Sequence, residues 1–360
     1  MLDMESVFIL INLLLKMFKK IFVILLFFHL VNSCNRQVVA KGIKKGKSVK
    51  TVMQRVNNAY NSASQALDDY GQKHCDSLDY YNWCKHFFTP NYYRRWMSFL
   101  PDSRRLADLN IPGTHNSCAI HGGLLVECQS LTIPQQLNAG IRFLDIRLRS
   151  FHGGLVVHHG QFYQHMNFDH VLSDCTNFLW ENPSETILMR IKKECTSVSP
   201  CEGDWDALVQ RHIDKYASFF RNGYPVRSNR ALAWLSLGEL RGTITTFSTM
   251  IWHYGAVLND INFADVQDQY STCGRTKWIA VEDHLVRHKF RPHPRNFMSI
   301  NFLSAFCVPF VPPYRNAKIV NERILRDWIE LRDNDQLGTI LMDFPGQTII
   351  GKIIDSNQNQ

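Results

Sequence analysis

Two histidine-containing segments of this chain have the residue types needed for general acid and general base chemistry. Residues 111–117 read IPGTHNS and residues 156–160 read VVHHG, so each histidine follows a short apolar run. Between them, residues 141–147 end in the carboxylate Asp145 and the guanidinium Arg147. One imidazole can accept a proton while the other donates one, and an arginine can hold charge that develops on phosphorus. The combination favours attack on a phosphodiester.

Alternating strand and helix patterns must position these residues. Predicted strands cover 107–112, 141–148, 155–158, 186–193, 243–248, 278–281, 297–303 and 338–343, and predicted helices cover 131–139, 168–181, 204–218, 258–268 and 317–332. Repeated strand-then-helix order predicts a parallel sheet. About eight strands in about 250 residues favour an α/β fold of the irregular (β/α)8 TIM-barrel type, with an open doubly wound sheet as the alternative.

Polar and titratable side chains follow nearly every predicted strand, where a parallel barrel places its reactive groups. In chain order they are His115 and Asn116, Asp145 and Arg147, His158 and His159, Lys192, and Asp343. Each alone has an ordinary structural explanation, such as an ion pair between alternate strand positions. Their joint placement on one rim favours a reactive site.

Composition and charge limit the classes of protein. The 360 residues are 45% hydrophobic and 20% charged, which predicts a large core rather than a disordered chain. Part of the net charge of +8 comes from lysines and arginines between residues 36 and 55, either as a solvated segment or as one attracted to anionic lipid. Because no aromatic residues interleave this run, we expect no nucleic-acid partner, and we expect a monomer.

The N-terminal segment predicts the compartment. Lys16, Lys19 and Lys20 precede an apolar run at 21–31, and small or polar residues follow at 32–34. This order is typical of a secretory signal and predicts a secreted or extracellular protein. The alternative is a membrane anchor, in which those lysines would be costly. We therefore divide the chain into a signal or membrane-proximal segment (1–34), a basic linker and helical extension (35–95, with an amphipathic helix over 51–70) and the barrel (96–360).

Ten cysteines fit an oxidising compartment. Three close pairs could form disulfides that close small loops: Cys75/Cys84, Cys118/Cys128 and Cys195/Cys201. Their true connectivity cannot be read from spacing. No histidine or second CxxC accompanies them at zinc-ligand spacing, so we expect no metal cluster.

Several ordered motifs resemble one family. They are LPDS at 100–103, NIPGTHNS at 110–117, GIRFLDIR at 140–147, HHG at 158–160, NPSETI at 182–187, KKE at 192–194 and VQDQY at 266–270. Together they resemble the bacterial-type phosphatidylinositol-specific phospholipase C, X-domain family. The resemblance runs from about Trp96 to Ile350 and implies an irregular (β/α) barrel.

The resemblance also implies catalytic roles. His115 matches the general base, which takes a proton from the inositol 2-hydroxyl so that this oxygen attacks phosphorus. His159 matches the general acid, which protonates the departing diacylglycerol oxygen, so the products are diacylglycerol and a cyclic inositol phosphate. Arg147 matches the residue that clamps the phosphate.

Further residues match supporting positions of the family. Asp145 matches a carboxylate near the nucleophile, and Asp343 matches the carboxylate that orients the base imidazole. Lys192 matches a basic residue after the fourth strand. Asp268 and Tyr270 match contacts to the inositol ring.

Two departures from the family pattern bear on cofactor and headgroup. Asn116 stands where metal-free members have Asp, and calcium-dependent relatives use Asn there as a ligand. Those relatives, however, have carboxylates at the positions of Arg147 and Lys192, which favours metal-free catalysis, with calcium at Asn116 as the alternative. Residues 245–249 read TTFST and lack the inositol-binding arginine of metal-free members.

Function and interface remain open at this point. The leading hypothesis is a phosphodiesterase that cleaves phosphatidylinositol or glycosylphosphatidylinositol at a membrane surface. The alternatives are a barrel phosphodiesterase for another headgroup and a non-catalytic secreted binder of lipid headgroups. The aromatic and proline-containing residues 306–314 either contact the bilayer or pack over the barrel, whereas residues 87–93 are expected to pack.

Overall fold

A computed structural model describes the part of the chain that carries the site. It covers residues 77–78, 81–82, 91–195, 200–220, 234–248, 256–258, 264–289, 297–306, 311–329 and 337–358. The predicted segment 1–34, the amphipathic helix at 51–70 and most of the linker 35–95 lie outside these residues. Within the described part, no helix has the length and apolar character to cross a bilayer.

The described strands form one large sheet and one small one. In chain order they are β1 (Ser77–Leu78), β2 (Tyr81–Asn82), β3 (Ile111–Thr114), β4 (Phe143–Phe151), β5 (Gly154–His159), β6 (Phe162–Asn167), β7 (Ile187–Lys193), β8 (Ile244–Ser248), β9 (Ala256–Val257), β10 (Ala264–Gln267), β11 (Met298–Phe302) and β12 (Thr339–Met342). Eight of them pair in parallel in the order β10-β11-β12-β3-β4-β7-β8-β9. The short strands β1 and β2 pair with each other, and Tyr81 of β2 also forms an antiparallel bridge with Pro345.

Helices follow most of these strands. They are α1 (Asn91–Arg94), α2 (Ile133–Asn138), α3 (Phe168–Glu181), α4 (Trp205–Lys215), α5 (Leu237–Leu240), α6 (Gly274–Lys289), α7 (Pro313–Arg323) and α8 (Gln347–Asp355). Short 3-10 helices occupy Trp96–Phe99, Leu106–Asp108 and Ala217–Phe219, and a π-helical stretch, Ile324–Ile329, continues α7. The alternation of parallel strands and helices agrees with the predicted barrel class.

Apolar strands buried on both faces build the core. Every residue of β3, β8, β11 and β12 is buried, as expected for parallel strands covered by helices. The rings of Phe143 and Phe247 stack at 5.5 Å between β4 and β8. The described core divides into two clusters, one spanning most of the strands and one that packs α6, α7 and α8 against β12.

The local sequence also explains where helices begin. Asn167 caps α3, since its side-chain oxygen accepts a hydrogen bond from the His170 amide at 3.0 Å. Val171, Leu172 and Cys175 then lie on the buried face of α3. The prediction of a helix at 168–181 is confirmed.

Three predicted elements are wrong. The predicted third barrel strand, 155–158, lies in β5, which pairs antiparallel with β4 and β6. Residues 278–281 lie inside α6, and residues 264–267 of the predicted helix 258–268 form β10. A short apolar run such as 278–281 fits a buried strand and a buried helix face equally well, because periodicity alone cannot separate them. The described residues still provide eight parallel strands, because β9 and β10 replace the two misassigned ones.

Candidate active site

Four parallel strands bring polar side chains to one rim of the sheet. His115 and Asn116 follow β3, and Asp343 follows β12, the strand beside it. Arg147 on β4 lies directly opposite Lys192 on β7. Since carboxyl ends of parallel strands meet at the same edge, these residues lie together as the sequence predicts.

His115 is held from one side and faces the open rim with the other. Its Nδ1 lies 2.8 Å from Oδ1 of the buried Asp343. Gln129 Nε2 donates to the backbone oxygens of His115 and Met342 at 2.8 and 2.9 Å, which ties the ends of β3 and β12 together. His115 Nε2 lies 2.6 Å from Arg147 Nη2. If Nδ1 carries the proton toward Asp343, Nε2 is a lone-pair acceptor on the open side.

Arg147 lies between two carboxylates. Its Nε and Nη2 both lie 3.1 Å from Asp145 Oδ2, and its Nη1 lies 3.2 Å from Glu194 Oε1. Burial alone would lower the pKa of Arg147, but Asp145 and Glu194 outweigh it and raise that pKa above its ordinary value. The guanidinium therefore keeps its charge in a site with little water.

Asp145 organises the base of this arrangement. It is fully buried, accepts a hydrogen bond from the Asn116 backbone N–H at 3.0 Å, and lies 3.5 Å from Arg190 Nη1. Burial acts to raise the pKa of Asp145, but Arg147 and Arg190 outweigh burial and hold it well below its usual range. Asp145 is thus a fixed negative charge under Arg147.

His159 reaches the rim from the β5–β6 hairpin. β4 continues beyond the parallel sheet and pairs antiparallel with β5, with Leu148 opposite Val157. Two residues further along the returning strand, His159 is back at the level of the rim. Its Nδ1 lies 2.7 Å from the Val126 backbone oxygen, which favours a proton on Nδ1 and leaves Nε2 as the reactive nitrogen.

The environment of His159 disfavours its charged form. Burial, then the positive charge of Arg147, and then His115 lower the pKa of His159 to about 4. The adjacent His158 points away from the rim, is buried, and lies with its ring 5.7 Å from that of Tyr163. Successive residues of a strand face opposite sides, so only the second histidine of the pair belongs to the site.

A buried thiol lies close to both histidines. Cys128 Sγ is 4.0 Å from His159 Nδ1, and it lies within 4.8 Å of a His115 ring nitrogen and an Asp343 carboxylate oxygen. The two imidazoles are therefore separated by no more than those two distances combined. Burial, followed by the negative charge of Asp343, raises the pKa of Cys128 well above its ordinary value, so the group stays a neutral thiol.

Asn116 adopts a left-handed backbone conformation, with φ of 46°, in the turn after β3. This conformation directs its N–H to Asp145. Its buried side-chain nitrogen has no hydrogen-bond partner among the described residues. The amide is therefore a polar group at the rim that is not used up by the fold.

The surroundings of Asn116 fit calcium poorly. The adjacent carboxylate of Asp145 is already paired with Arg147 and Arg190. Lys192 Nζ lies 3.5 Å from Glu194 Oε1, and burial and Arg147 lower the pKa of Lys192. A hard dication prefers six to eight oxygen ligands, and here it would meet three cationic side chains.

The predicted inositol-contact segment follows β10. Asp268 and Tyr270 are both exposed, and Tyr270 is 61% exposed. The buried Lys277 on α6 braces this segment, since its Nζ donates to Gln269 O and Gln267 Oε1, both at 3.0 Å. Burial lowers the pKa of Lys277 to about 8, against the opposing charges of Asp268 and Asp343, so both carboxylates lie within electrostatic reach of it.

Sequence reasoning missed several residues of the site. They are Val126, Cys128, Gln129, Arg190 and Glu194. Glu194 was visible in the KKE motif, and its Oε2 accepts from the Gly160 N–H at 3.3 Å, which links β7 to the histidine hairpin. Nothing in the spacing of Cys128 marked it as a neighbour of two histidines.

One predicted cysteine pair is wrong and one is confirmed. Cys195 and Cys201 form a disulfide with Cα atoms 5.2 Å apart. Cys118 and Cys128 are free, buried thiols, because Cys128 faces the histidines while Cys118 lies in the core near Cys175. The pair Cys75/Cys84 lies outside the described residues.

Comparison with known proteins defines the class to which this fold and site correspond. The family model "Phosphatidylinositol-specific phospholipase C, X domain" matches residues 103–203. That range contains both histidines, Asp145, Arg147 and Lys192. The resemblance predicted from the motifs is thus confirmed over these residues, which are similar to the X domain of this family.

Individual relatives extend the match across the barrel. The 1-phosphatidylinositol phosphodiesterase of Listeria monocytogenes is 29% identical over 296 residues, which cover 77% of this chain and 89% of that protein. The enzyme of that name from Staphylococcus aureus strain Newman is 29% identical over 301 residues, covering 73% of this chain and 94% of the relative.

Solved structures show the same fold. The phosphatidylinositol-specific phospholipase C from Listeria monocytogenes superposes with a TM-score of 0.64 at 28% identity, over 73% of this chain and 98% of that one. A pentafluoro-Phe-incorporated form of the Staphylococcus aureus enzyme gives a TM-score of 0.64 at 25% identity, over 74% and 97%. The predicted barrel-type α/β fold is confirmed.

Proposed function

We propose that this protein is a phosphoric diester hydrolase that cleaves phosphatidylinositol, or its glycosylated form, to diacylglycerol and a cyclic inositol phosphate. The observation that carries the proposal is the placement of His115 between Asp343 and Arg147, with His159 beside Cys128, a thiol that lies close to both histidines. The names of the relatives support the substrate class. The roles below are our assignment to this chain's residues.

His115 is the proposed general base. With its Nδ1–H donating to Asp343, its Nε2 accepts the proton of the inositol 2-hydroxyl. The 2-oxygen then forms a bond to phosphorus as the bond from phosphorus to the diacylglycerol oxygen breaks. Asp343 stabilises the imidazolium that results, as a buried carboxylate does for a base histidine.

Arg147 is the proposed phosphate clamp. Its Nη2 now contacts His115 Nε2, and a non-bridging phosphate oxygen would replace that contact. Asp145 and Glu194 hold the rest of the guanidinium, so the clamp is pre-oriented before substrate binds. Lys192 adds positive charge beside it, and the unused amide of Asn116 supplies a further donor.

His159 is the proposed general acid. Its Nδ1–H donates to Val126 O, so Nε2 is the atom that carries the proton to the diacylglycerol oxygen. In the free protein its low pKa of about 4 leaves it mostly neutral near pH 7. The negative charge of a bound phosphodiester favours the imidazolium, so substrate binding itself would load the acid.

We also propose metal-free catalysis and contact with a membrane. The poor fit of calcium near Asn116 supports the first. The second is supported by Tyr270 and Phe306, which are 61% and 53% exposed and are joined by a 2.7 Å hydrogen bond from Phe306 N to Tyr270 O. Such paired exposed aromatics beside a site suit a bilayer interface. The signal-like order of residues 16–34 supports secretion.

The test is incubation of the full chain with phosphatidylinositol vesicles and excess chelator, followed by phosphorus NMR. We expect a cyclic inositol phosphate resonance, lost in His115→Ala and His159→Ala and kept in His158→Ala, the matched histidine beside the site. Activity that requires added calcium would contradict metal-free catalysis. A parallel arm with glycerophosphodiesters tests the other headgroup, and cleavage of those alone would contradict the inositol assignment.

A further inference from the structure

A second group of titratable side chains lies on the outer face of the sheet, away from the catalytic residues. Asp265 is on β10, and His284 and His288 are one turn apart on α6. Lys277 contacts Gln267, and seven residues later His284 contacts Asp265, so α6 runs antiparallel to β10 along one face of the strand. Both imidazoles are fully buried, whereas the Asp265 side chain is 24% exposed.

The spacing of these groups is that of ligands around one ion. His284 Nε2 lies 3.6 Å from Asp265 Oδ1, and His288 Nε2 lies 3.3 Å from Asp265 Oδ2. One ligand atom from each residue lies within 4.8 Å of the other two. Zinc bonded at about 2.0–2.1 Å in a tetrahedral site holds its ligand atoms roughly 3.4 Å apart. Only a small closure is needed to reach that geometry.

The two imidazoles are adjacent as well as buried. Their rings lie 4.6 Å apart. His284 Nε2 lies 3.1 Å from the Asp265 backbone oxygen, which aims the ring at Asp265, and a metal ion bound at Nε2 would replace this hydrogen bond. The buried His284 Nδ1 has no hydrogen-bond partner among the described residues. The imidazole nitrogen is the commonest side-chain metal ligand in proteins.

The chemistry of the donors selects the ion. Two imidazoles and one carboxylate suit zinc rather than calcium or magnesium, which prefer all-oxygen sites. Arg287 Nε lies 4.0 Å from Asp265 Oδ2, but its side chain is 52% exposed and can turn to solvent when a cation binds. The partial exposure of Asp265 leaves an approach for a water ligand.

We propose that Asp265, His284 and His288 bind one Zn²⁺, with water as the fourth ligand. The ion would tie the last turns of α6 to β10, the strand that leads directly into Asp268 and Tyr270. The site is structural, since its ligands lie on the outer face of the sheet and none belongs to the catalytic set. This inference does not depend on the proposed lipid substrate.

The test measures metal binding rather than catalysis. Because Cys128, His115 and Asp343 form another group able to hold a metal, the full chain with Cys128→Ser serves as host. Zn²⁺ is titrated by calorimetry, and Co²⁺ by visible absorption. We expect one ion per chain and cobalt bands without a thiolate charge-transfer band. Asp265→Asn and His288→Gln should each weaken binding by at least about 10-fold.

A matched control comes from α4. His212 is also buried, and its Nε2 lies 3.6 Å from Asp169 Oδ2, but among the described residues this pair belongs to no group of three potential metal ligands. His212→Gln should keep the bound ion. Zinc should also raise the melting temperature of the host and of His212→Gln, and leave that of Asp265→Asn unchanged.

Two results would overturn the proposal. One is unchanged Zn²⁺ affinity in Asp265→Asn, a near-isosteric change that removes only the charge. The other is loss of the ion on replacing Cys128 alone, which would move it to the catalytic histidine. If His288→Gln does not fold, the affinity and melting curve of Asp265→Asn decide between these outcomes.

Discussion

Arg142 directly precedes β4, Arg147 lies five residues further along that strand, and their surroundings differ. Arg142 is fully buried and donates from Nε and Nη2 to Glu185 Oε2 at 3.0 and 2.8 Å. Nη2 also donates to the Arg94 backbone oxygen, and Nη1 donates to those of Leu137 and Ile141. This network is closed, since the fold itself supplies a partner for each of its three nitrogens.

The network around Arg147, by contrast, is open, because some of its polar groups have no partner among the described residues. Arg147 has two carboxylates, but its Nη2 faces the nitrogen of His115. The side-chain nitrogen of Asn116 and two guanidinium nitrogens of Arg190 have no hydrogen-bond partner among the described residues. Leaving buried polar groups incomplete costs stability. The comparison teaches that the network of Arg142 maintains the fold, whereas the polar groups around Arg147 are available to bind an anion.

The largest effect on activity should come from the histidines near Arg147. We expect His115→Ala and His159→Ala each to lower kcat/KM for phosphatidylinositol by about 100- to 10,000-fold, because each removes one proton-transfer group. Neither should prevent folding, since neither ring fills the main core. Initial rates on vesicles, with melting curves of the same samples, check both statements. If the variants lost folding in proportion to activity, the proposed distinction between the Arg142 and Arg147 networks would be wrong.

Breaking the Arg142 network should have the opposite result, because stability should fall while activity per folded molecule is kept. Arg142→Met leaves Glu185 buried without its counter-charge and should lower the free energy of unfolding by about 3–5 kcal/mol. The double variant Arg142→Met/Glu185→Leu removes both charges and should recover much of that loss. Urea denaturation measures the stabilities, and kcat per folded molecule should stay near wild type. Equal stability of Arg142→Met and wild type would refute the structural role.

Acid should lower the stability of the protein through His159, which lies near Arg147. The folded pKa of about 4 lies below the value of about 6.5 expected in the unfolded chain, so the unfolded chain takes up the proton first. Stability from this group is therefore present above pH 6.5 and is lost as the pH falls toward 4, by about 2–3 kcal/mol. Urea denaturation across this range should show a steeper acid loss for wild type than for His159→Gln. Parallel curves would contradict the assigned environment.

The smallest effect should come from the exposed inositol contacts. Tyr270→Ala or Asp268→Asn should raise KM for phosphatidylinositol by about 10-fold, the equivalent of one charge-assisted hydrogen bond, with a smaller change in kcat. Trp180→Ala, an 80% exposed aromatic on α3, is the matched control and should leave KM unchanged. A larger effect on kcat than on KM would place these residues nearer the reacting atoms than the comparison implies.

The rim residues on parallel strands could be predicted because strand ends in such a sheet share an edge. His115, Arg147, Lys192 and Asp343 needed only strand positions and chain order. The antiparallel course of β5 was missed, although a local signal existed: His152 and Gly153 both have positive φ, 46° and 75°, in a two-residue turn. Positive φ at both central residues is typical of a tight hairpin rather than a barrel crossover.

Helix α6 was missed for a different physical reason. Its buried face includes Lys277, His284 and His288, so polar residues interrupt the apolar periodicity that reveals a helix. Burial of those groups depends on partners from β10, which no local pattern announces. Likewise, the contact of Cys128 with His159 depends on how the hairpin folds back onto the rim.

The separate support of the two histidines has a consequence for substrate choice. The proposed base, His115, follows a strand of the barrel, whereas the proposed acid, His159, lies in the two-stranded β5–β6 ribbon. Variants that loosen the ribbon should therefore slow release of a poor leaving group, such as an alkoxide, far more than that of an acidic phenol, which departs without a proton. The dependence of the rate on the leaving group would thus measure the contribution of the β5–β6 ribbon, whereas the rate of ring closure would measure that of the barrel residues.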